Sequence, residues 1–307
     1  MTWPSASFIQ KKTAPTPPYK VIQNIADSFE PKLRKAIIES IAATKDAVVL
    51  VKVQRALESG DLAAAEAAIP WDTVSIDDLQ TEVTRVLRDT MEQSGIASED
   101  LLPSATALRF DIVNPRAIEW ARNESATLVT QVSDETQLAI RNIITRAFEE
   151  GMHPYVSARL IRDQIGLTDR LAAAVDNYRK GQIAAGVKQE KVIARAARYA
   201  RQLLNYRAKN IARTETLRAS NMGQQELWRQ ARDAGLLDSS FKKVWLTTED
   251  DRTCDICIEM DGQIVSLEGS FTGYRRNAQE QIAEIYTSLT PPIHPSCRCA
   301  IVADFGK

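Results

Sequence analysis

KQEKVIARAARYARQLLNYRAKNIARTETLRASNMGQQELWRQARDAG (Lys188–Gly235) decides the fold class. Ile193, Ala197, Ala200, Leu204, Ala208 and Ile211 recur every three or four residues, which puts them on one apolar helical face. The spacing predicts one or two long helices from about Lys188 to Ala234, stopped by Gly235. Past that glycine the texture changes. FKKVWLTT (Phe241–Thr248) is β-branched and aromatic enough for a strand, Asp261-Gly262 makes a hairpin turn before QIVSL, and CRCAIVADF (Cys297–Phe305) reads as a last strand. AQEQIAEIYTSL (Ala278–Leu289) reads as a short helix between them. The fold class is therefore mainly α, with helical N-terminal and central regions followed by a small C-terminal α+β module that contains the cysteines.

Working back from Lys188, Thr168–Ala185 and Tyr155–Gly166 read as two helices, and Ser133–Glu150 as another. In the last, Leu138, Ile140, Ile143, Ile144 and Phe148 form a stripe that ends at Gly151. Its series begins at Asn114-Pro115, a cap and first-turn pair. His153 stands alone before Pro154 and suits a loop or cap. Further upstream, Ser75 and Asp78 resemble a capping box, Asp46–Gly60 ends at a glycine stop, and Pro31 opens a helix carrying Leu33, Ile37, Ile38 and Ile41. Pro4, Pro15, Pro17 and Pro18 mark an extended arm. The expected divisions are residues 1–30 (arm), 31–110 (N-terminal helices), 111–240 (central helices) and 241–307 (module).

A formal net charge of -1 gives no global basicity, so any nucleic-acid contact must rest on a local patch. No apolar run has the length of a signal peptide or a membrane span, so synthesis and folding in a cytoplasm are expected. Gly181 and Gly186 have phosphate-loop spacing, but Val187-Lys188-Gln189 replaces the Gly-Lys-Ser/Thr ending, which excludes a packaging motor.

All four cysteines fall in the module, as Cys254-x2-Cys257 and then His294-x2-Cys297-x-Cys299. Cysteine pairs at such spacing can present thiolates to one tetrahedral Zn²⁺, and thiolate-rich sets are characteristic of structural zinc. Five donors compete for four positions, so His294 is either the fourth ligand or a loop residue. Cys297 and Cys299 would share a face if they lie on a regular strand. Disulfides formed after assembly, or packed thiols, are the alternatives.

Three segments together carry a family resemblance: IARTETLRASNMGQQELWRQARDAGL (Ile211–Leu236), VWLTTEDDRTCDICIEMDGQ (Val244–Gln263) and PPIHPSCRC (Pro291–Cys299). An Ala-Arg-Thr-Glu helix with a following Asn, a Trp before Asp-x-Arg-x-Cys-x-x-Cys, an Asp-Gly and a closing His-Pro-x-Cys-Arg-Cys resemble the phage Mu F-like minor head protein family. The matching residues are Arg213, Thr214, Glu215 and Asn221 on the helix, with Asp251, Arg252, Cys254, Cys257, Asp261, Gly262, His294, Pro295, Cys297, Arg298 and Cys299 in the module. The resemblance implies a non-enzymatic head morphogenesis protein of a tailed phage, made in the host cytoplasm and carried in the virion, in the capsid interior near the portal. Its implied partners are the portal protein and the major capsid or scaffolding protein, with a role in assembly, DNA packaging or ejection. The chain ends eight residues after Cys299, so no appended toxin or enzyme domain is expected.

Two other chemistries remain in view. Arg195, Arg198, Arg201, Arg207 and Lys209 lie on or beside the polar side of the long helix and could track the phosphates of genomic DNA. A metal-dependent nuclease would use Asp250-Asp251 near His294, although such a site would want a further histidine. Arg213 and Glu215 are two residues apart and cannot face one another on a helix, so a polar network with separate partners is expected there. A catalytic glutamate at Glu215 would lack a nucleophile or cofactor loop beside it.

Overall fold

In the computed structural model, the described residues are 17–71, 76–100, 102, 108–248 and 253–304. Helices come first: α1 (Pro18–Ala47), α2 (Leu50–Glu58), α3 (Leu62–Ala67), α4 (Ile76–Glu99), α5 (Pro115–Glu149), α6 (Pro154–Gln164), α7 (Asp169–Ala184) and α8 (Gln189–Asp233). The module follows as β1 (Lys242–Leu246), α9 (Asp255–Met260), β2 (Ile264–Ser266), β3 (Phe271–Arg276), β4 (Ile282–Ser288) and β5 (Ala300–Asp304). β1 is the centre of a three-stranded sheet, antiparallel to β2 and β5, while β3 and β4 form a separate antiparallel ribbon. No helix among the described residues is long and apolar enough to cross a membrane.

Local chemistry sets several boundaries where the sequence places them. Asn114 accepts from the Arg116 amide to start α5, the His153 side chain accepts from Tyr155 to start α6, and Thr168 caps α7. The expected run from Lys188 is a single helix, α8. Leu33 and Ile37 from α1, Val83 and Leu87 from α4, Ile140 and Ile144 from α5 and Leu204 from α8 all belong to one apolar cluster.

Two expectations are overturned. Residues 18–30 are not an extended arm, because α1 already begins at Pro18 and carries Pro31 in its interior. An interior proline costs roughly 3 kcal/mol of helix stability. Here the segment before it is held by tertiary burial: Ile22 and Ala26 pack against Leu217 of α8 and Ala300 of β5, and Gln23 donates to the Arg298 carbonyl. The arm's Pro4 and Pro15, and Ser75 of the capping box, lie outside the described residues. The second correction concerns Ala278–Leu289, expected as helix, where β4 pairs instead with β3 from Phe271↔Ser288 onward. Asn277 accepts from the Gln279 and Gln281 amides and turns the chain into a hairpin before helix can propagate.

The second half of α8 supports everything after it. From Thr214 to Ala231 nearly every residue is buried, including Thr216, Ser220, Asn221, Gln224, Gln225 and Glu226. α4 lies so close on one side that a Cβ at Gly223 would stand 2.2 Å from the Met91 carbonyl oxygen, so only glycine fits. On the other side Gln225 donates to the Leu267 carbonyl at 2.7 Å and accepts from Lys243 Nζ at 3.0 Å. Lys243 is fully buried on β1, and its ammonium also donates to the Leu289 carbonyl at 2.9 Å.

Burial, with repulsion from Arg229 opposed by Glu268, pushes Lys243 down from 10.5 to about 7. The unfolded chain keeps that proton to higher pH, so between pH 7 and about 10 it binds more protons than the folded chain and this term makes stability rise with pH. Urea midpoints measured at pH 7 and pH 9 should therefore rise more in the wild-type protein than in Lys243→Met. Equal pH slopes would show that Lys243 does not titrate differently in the two states.

Candidate metal centre

The site is assembled from a short helix and a loop that flank the same sheet. Cys254 is the N-cap of α9 and Cys257 lies in its first turn, so the pair is carried by a helix start rather than by a hairpin turn. The opposite wall is the loop from Pro291 to Cys299, in which Ser296 adopts a left-handed φ of 65°. Cys297 and Cys299 precede β5 and are not on a strand, so strand alternation does not account for their shared direction. The loop is tied to α8 by Asn221, whose Oδ1 accepts from the Ile301 amide at 3.0 Å and whose Nδ2 donates to the carbonyls of Leu217 and Cys299. The Ser296 amide donates to Thr214 Oγ1 at 3.4 Å.

All five predicted donors come together. Cys254, Cys257 and His294 form one group and Cys257, Cys297 and Cys299 a second, the atoms of each group lying within 4.8 Å of one another. His294 Nε2 is 3.0 Å from Cys254 Sγ and 3.2 Å from Cys257 Sγ, and Cys257 Sγ is 3.9 Å from Cys297 Sγ. His294 Nδ1 lies 2.8 Å from the Pro295 carbonyl oxygen, so its N–H donates there and the lone pair on Nε2 points to the sulfurs. All four cysteines are free thiols. Hydrogen bonds from Cys257 and Cys299 pull the Cys297 thiol well below its ordinary range, whereas Cys257 is pushed up. The buried Trp245 indole N–H has no hydrogen-bond partner among the described residues and lies near Cys299, whose thiol is pulled down by Cys257 but on balance pushed up by its bond to Cys297 and by burial. A buried donor without an acceptor is costly, and a thiolate beside it would relieve that cost. The donor set fits a soft four-coordinate ion such as Zn²⁺, with enough residues to close the coordination sphere.

Other motif residues have structural partners. Asp261 accepts from the Thr247 amide and hydroxyl at 2.8 and 3.0 Å, and Gly262, at φ 71°, donates to the Trp245 carbonyl, closing β1 onto β2. Glu215 shares Arg218 with Glu124 of α5, and burial pushes its carboxyl up to about 7. Thr214 and Glu215 on one wall, and His294 and Pro295 on the other, line a cleft of about 560 Å³. Arg213 is half-buried on α8, and the Arg298 carbonyl accepts from Gln23. Asp251 and Arg252, together with Asp250 of the nuclease alternative, lie outside the described residues.

The basic series divides. Arg195, Arg198, Arg201 and Lys209 are exposed along α8, with Arg195 bonded to Gln182. Arg207 is not available to phosphate: it is 6% exposed and donates to the Gly166 carbonyl, Thr136 and Glu135, tying α5 and the α6–α7 turn to α8. Helical spacing places Arg207 beside the apolar stripe, but only the neighbouring helices make it an interior group. Lys243 and Trp245 were not singled out as site residues. Their signal is faint, the second of two adjacent lysines that open an apolar strand and a tryptophan two residues on.

No curated protein and no solved structure matches the chain significantly. Residues 138–302, more than half of the chain, match the family described as Phage Mu protein F like protein, and the match takes in the C-terminal end of α5, all of α8 and the five donors. The chain belongs to this Phage Mu F-like family of phage head morphogenesis proteins.

Proposed function

We propose that this chain is a minor head protein of a tailed phage that works by binding and not by catalysis. It docks on the portal at the capsid interior, contacts the major capsid or scaffolding protein, and assists head assembly, DNA packaging or ejection. The observation that carries this reading is the family match across α8 and the module. The residues outside that match are the natural docking elements. Val49, Val51 and Leu62, at the start of α2 and α3, are each about half exposed and give the N-terminal helices an apolar face. Portal protein should be retained by the immobilised chain and lost with Val51→Asp plus Leu62→Asp at unchanged helicity. Full retention by that variant would remove α2 and α3 as the docking face.

The cysteine cluster serves this role as a structural zinc clamp. A module of about seventy residues buries little apolar area for its size, so a metal cross-link contributes directly to its folding. Cys254, Cys257, His294, Cys297 and Cys299 are the candidate ligands. Elemental analysis of the purified protein should give one zinc per chain, and chelation should unfold the module and shift Trp228 and Trp245 fluorescence. Zinc-free protein with four titratable thiols and native fluorescence would leave the cysteines as packing groups.

A second reading, contact with genomic DNA, draws on a local crowding of cations. Burial pushes Lys45 down to about 8; Asp163 opposes the shift, and Arg201 and Arg162 add to it. Lys45 thus lies close to Arg201, and Arg198 and Lys209 are exposed on the same helix as Arg201. Each phosphate contact contributes roughly 0.9 to the slope of log affinity against log salt. Arg198→Ala with Arg201→Ala should thus reduce the slope for duplex DNA by about two. An unchanged slope would exclude this face.

A further inference from the structure

The five donors are not equivalent. Cys257, Cys297 and Cys299 are each about 2% exposed. Their sulfurs form one compact group, and the 3.9 Å from Cys257 to Cys297 is close to the roughly 3.8 Å between two thiolates on one tetrahedral zinc. Cys299 shares a buried cluster with Trp245, whose indole N–H has no partner among the described residues. Cys254 and His294 are only half-buried, at the rim. His294 Nε2 lies within hydrogen-bonding distance of both Cys254 Sγ, at 3.0 Å, and Cys257 Sγ, at 3.2 Å. Both reach Cys257, the one residue common to the two groups.

Resting on the structural-zinc reading, we propose that Cys257, Cys297 and Cys299 form a fixed three-thiolate floor, and that Cys254 and His294 are alternative occupants of the fourth ligand position. Trp245 is a positioning residue that orients Cys299 through its indole N–H. The surplus fifth donor is then a built-in replacement. Whichever rim group is displaced stays within hydrogen-bonding reach of the other, so the ion can exchange thiolate for imidazole without an open coordination position. The two states differ by one thiolate, which sets how the site responds to oxidants that attack the accessible Cys254.

Cobalt(II) in the full-length protein tests this, because its thiolate charge-transfer and ligand-field bands separate four-sulfur from three-sulfur, one-nitrogen sites. His294→Ala should bind one Co²⁺ with a four-thiolate spectrum, and Cys254→Ser one Co²⁺ with a three-thiolate, one-imidazole spectrum, each within about tenfold of wild-type affinity. The Cys254→Ser, His294→Ala double variant and Cys299→Ser should each weaken binding more than a hundredfold. Trp245→Phe should retain one ion at about tenfold weaker affinity, as outer-sphere partners do. A rim single variant that loses the ion, folded or unfolded, would overturn the proposal, as would Cys299→Ser with a wild-type spectrum. Wild-type protein that takes up neither Co²⁺ nor Zn²⁺ would instead defeat the structural-zinc reading on which it rests.

Discussion

A polar helix face can be buried only where its amides and hydroxyls find partners, and the second half of α8 is such a face. Asn221 and Gln225, one helical turn apart, take on backbone groups of β5, the loop before it and the turn after β2, while Ser220 donates to the Ile22 carbonyl of α1. Gly223 lets α4 close on the remaining side. Without the module these side chains would be buried against nothing or left to water. Without α8 the three-stranded sheet would lose the donors and acceptors along its back. Helical body and module are therefore parts of one polar and apolar interlock, even though their secondary structures differ.

The metal centre shares an apolar cluster with Leu227, Trp228 and Ala231 of α8. Trp245 packs its ring edge-on against Phe271 and turns its indole toward Cys299, while Trp228 of α8 packs on Phe241. The cysteines thus complete an apolar cluster that includes Leu227, Trp228, Trp245, Met260, Phe271 and Ile301. Cross-linking α9 to the Pro291–Cys299 loop would close the two ends of this cluster. The β3–β4 ribbon extends outward, with Ile282 and Ile285 more than half exposed, and contributes less to the core.

The resemblance singled out residues whose physical tasks differ. Asn221 joins helix to sheet, Asp261 and Gly262 shape a turn, Glu215 enters a carboxylate–guanidinium network, and Pro295 offers the carbonyl that orients His294. Their order along the chain was legible because each is tied to a local backbone pattern. Their partners were not, since Asn221 meets Ile301 across eighty residues. Pro18–Glu30 departs from its sequence expectation for the same reason: local proline content disfavours helix, and the burial of Ile22 and Ala26 that outweighs it is long-range. β4 misled in the other direction. The Ala, Glu and Gln content of Ala278–Leu289 favours helix, and a hairpin partner decides otherwise.

By itself the sequence determined the helical character of residues 115–233, the change to strands after Gly235, the gathering of cysteines in the last sixth of the chain and the family, because periodicity, caps and motif order are short-range properties. Only the tertiary structure decided that Arg207 is an internal brace rather than a phosphate contact, and that Lys243 is buried without a carboxylate. It alone divides the five donors into a buried floor and a half-buried rim. The physical reason is common to all three. Burial and the approach of two side chains depend on which elements pack together, and no spacing within one segment encodes that.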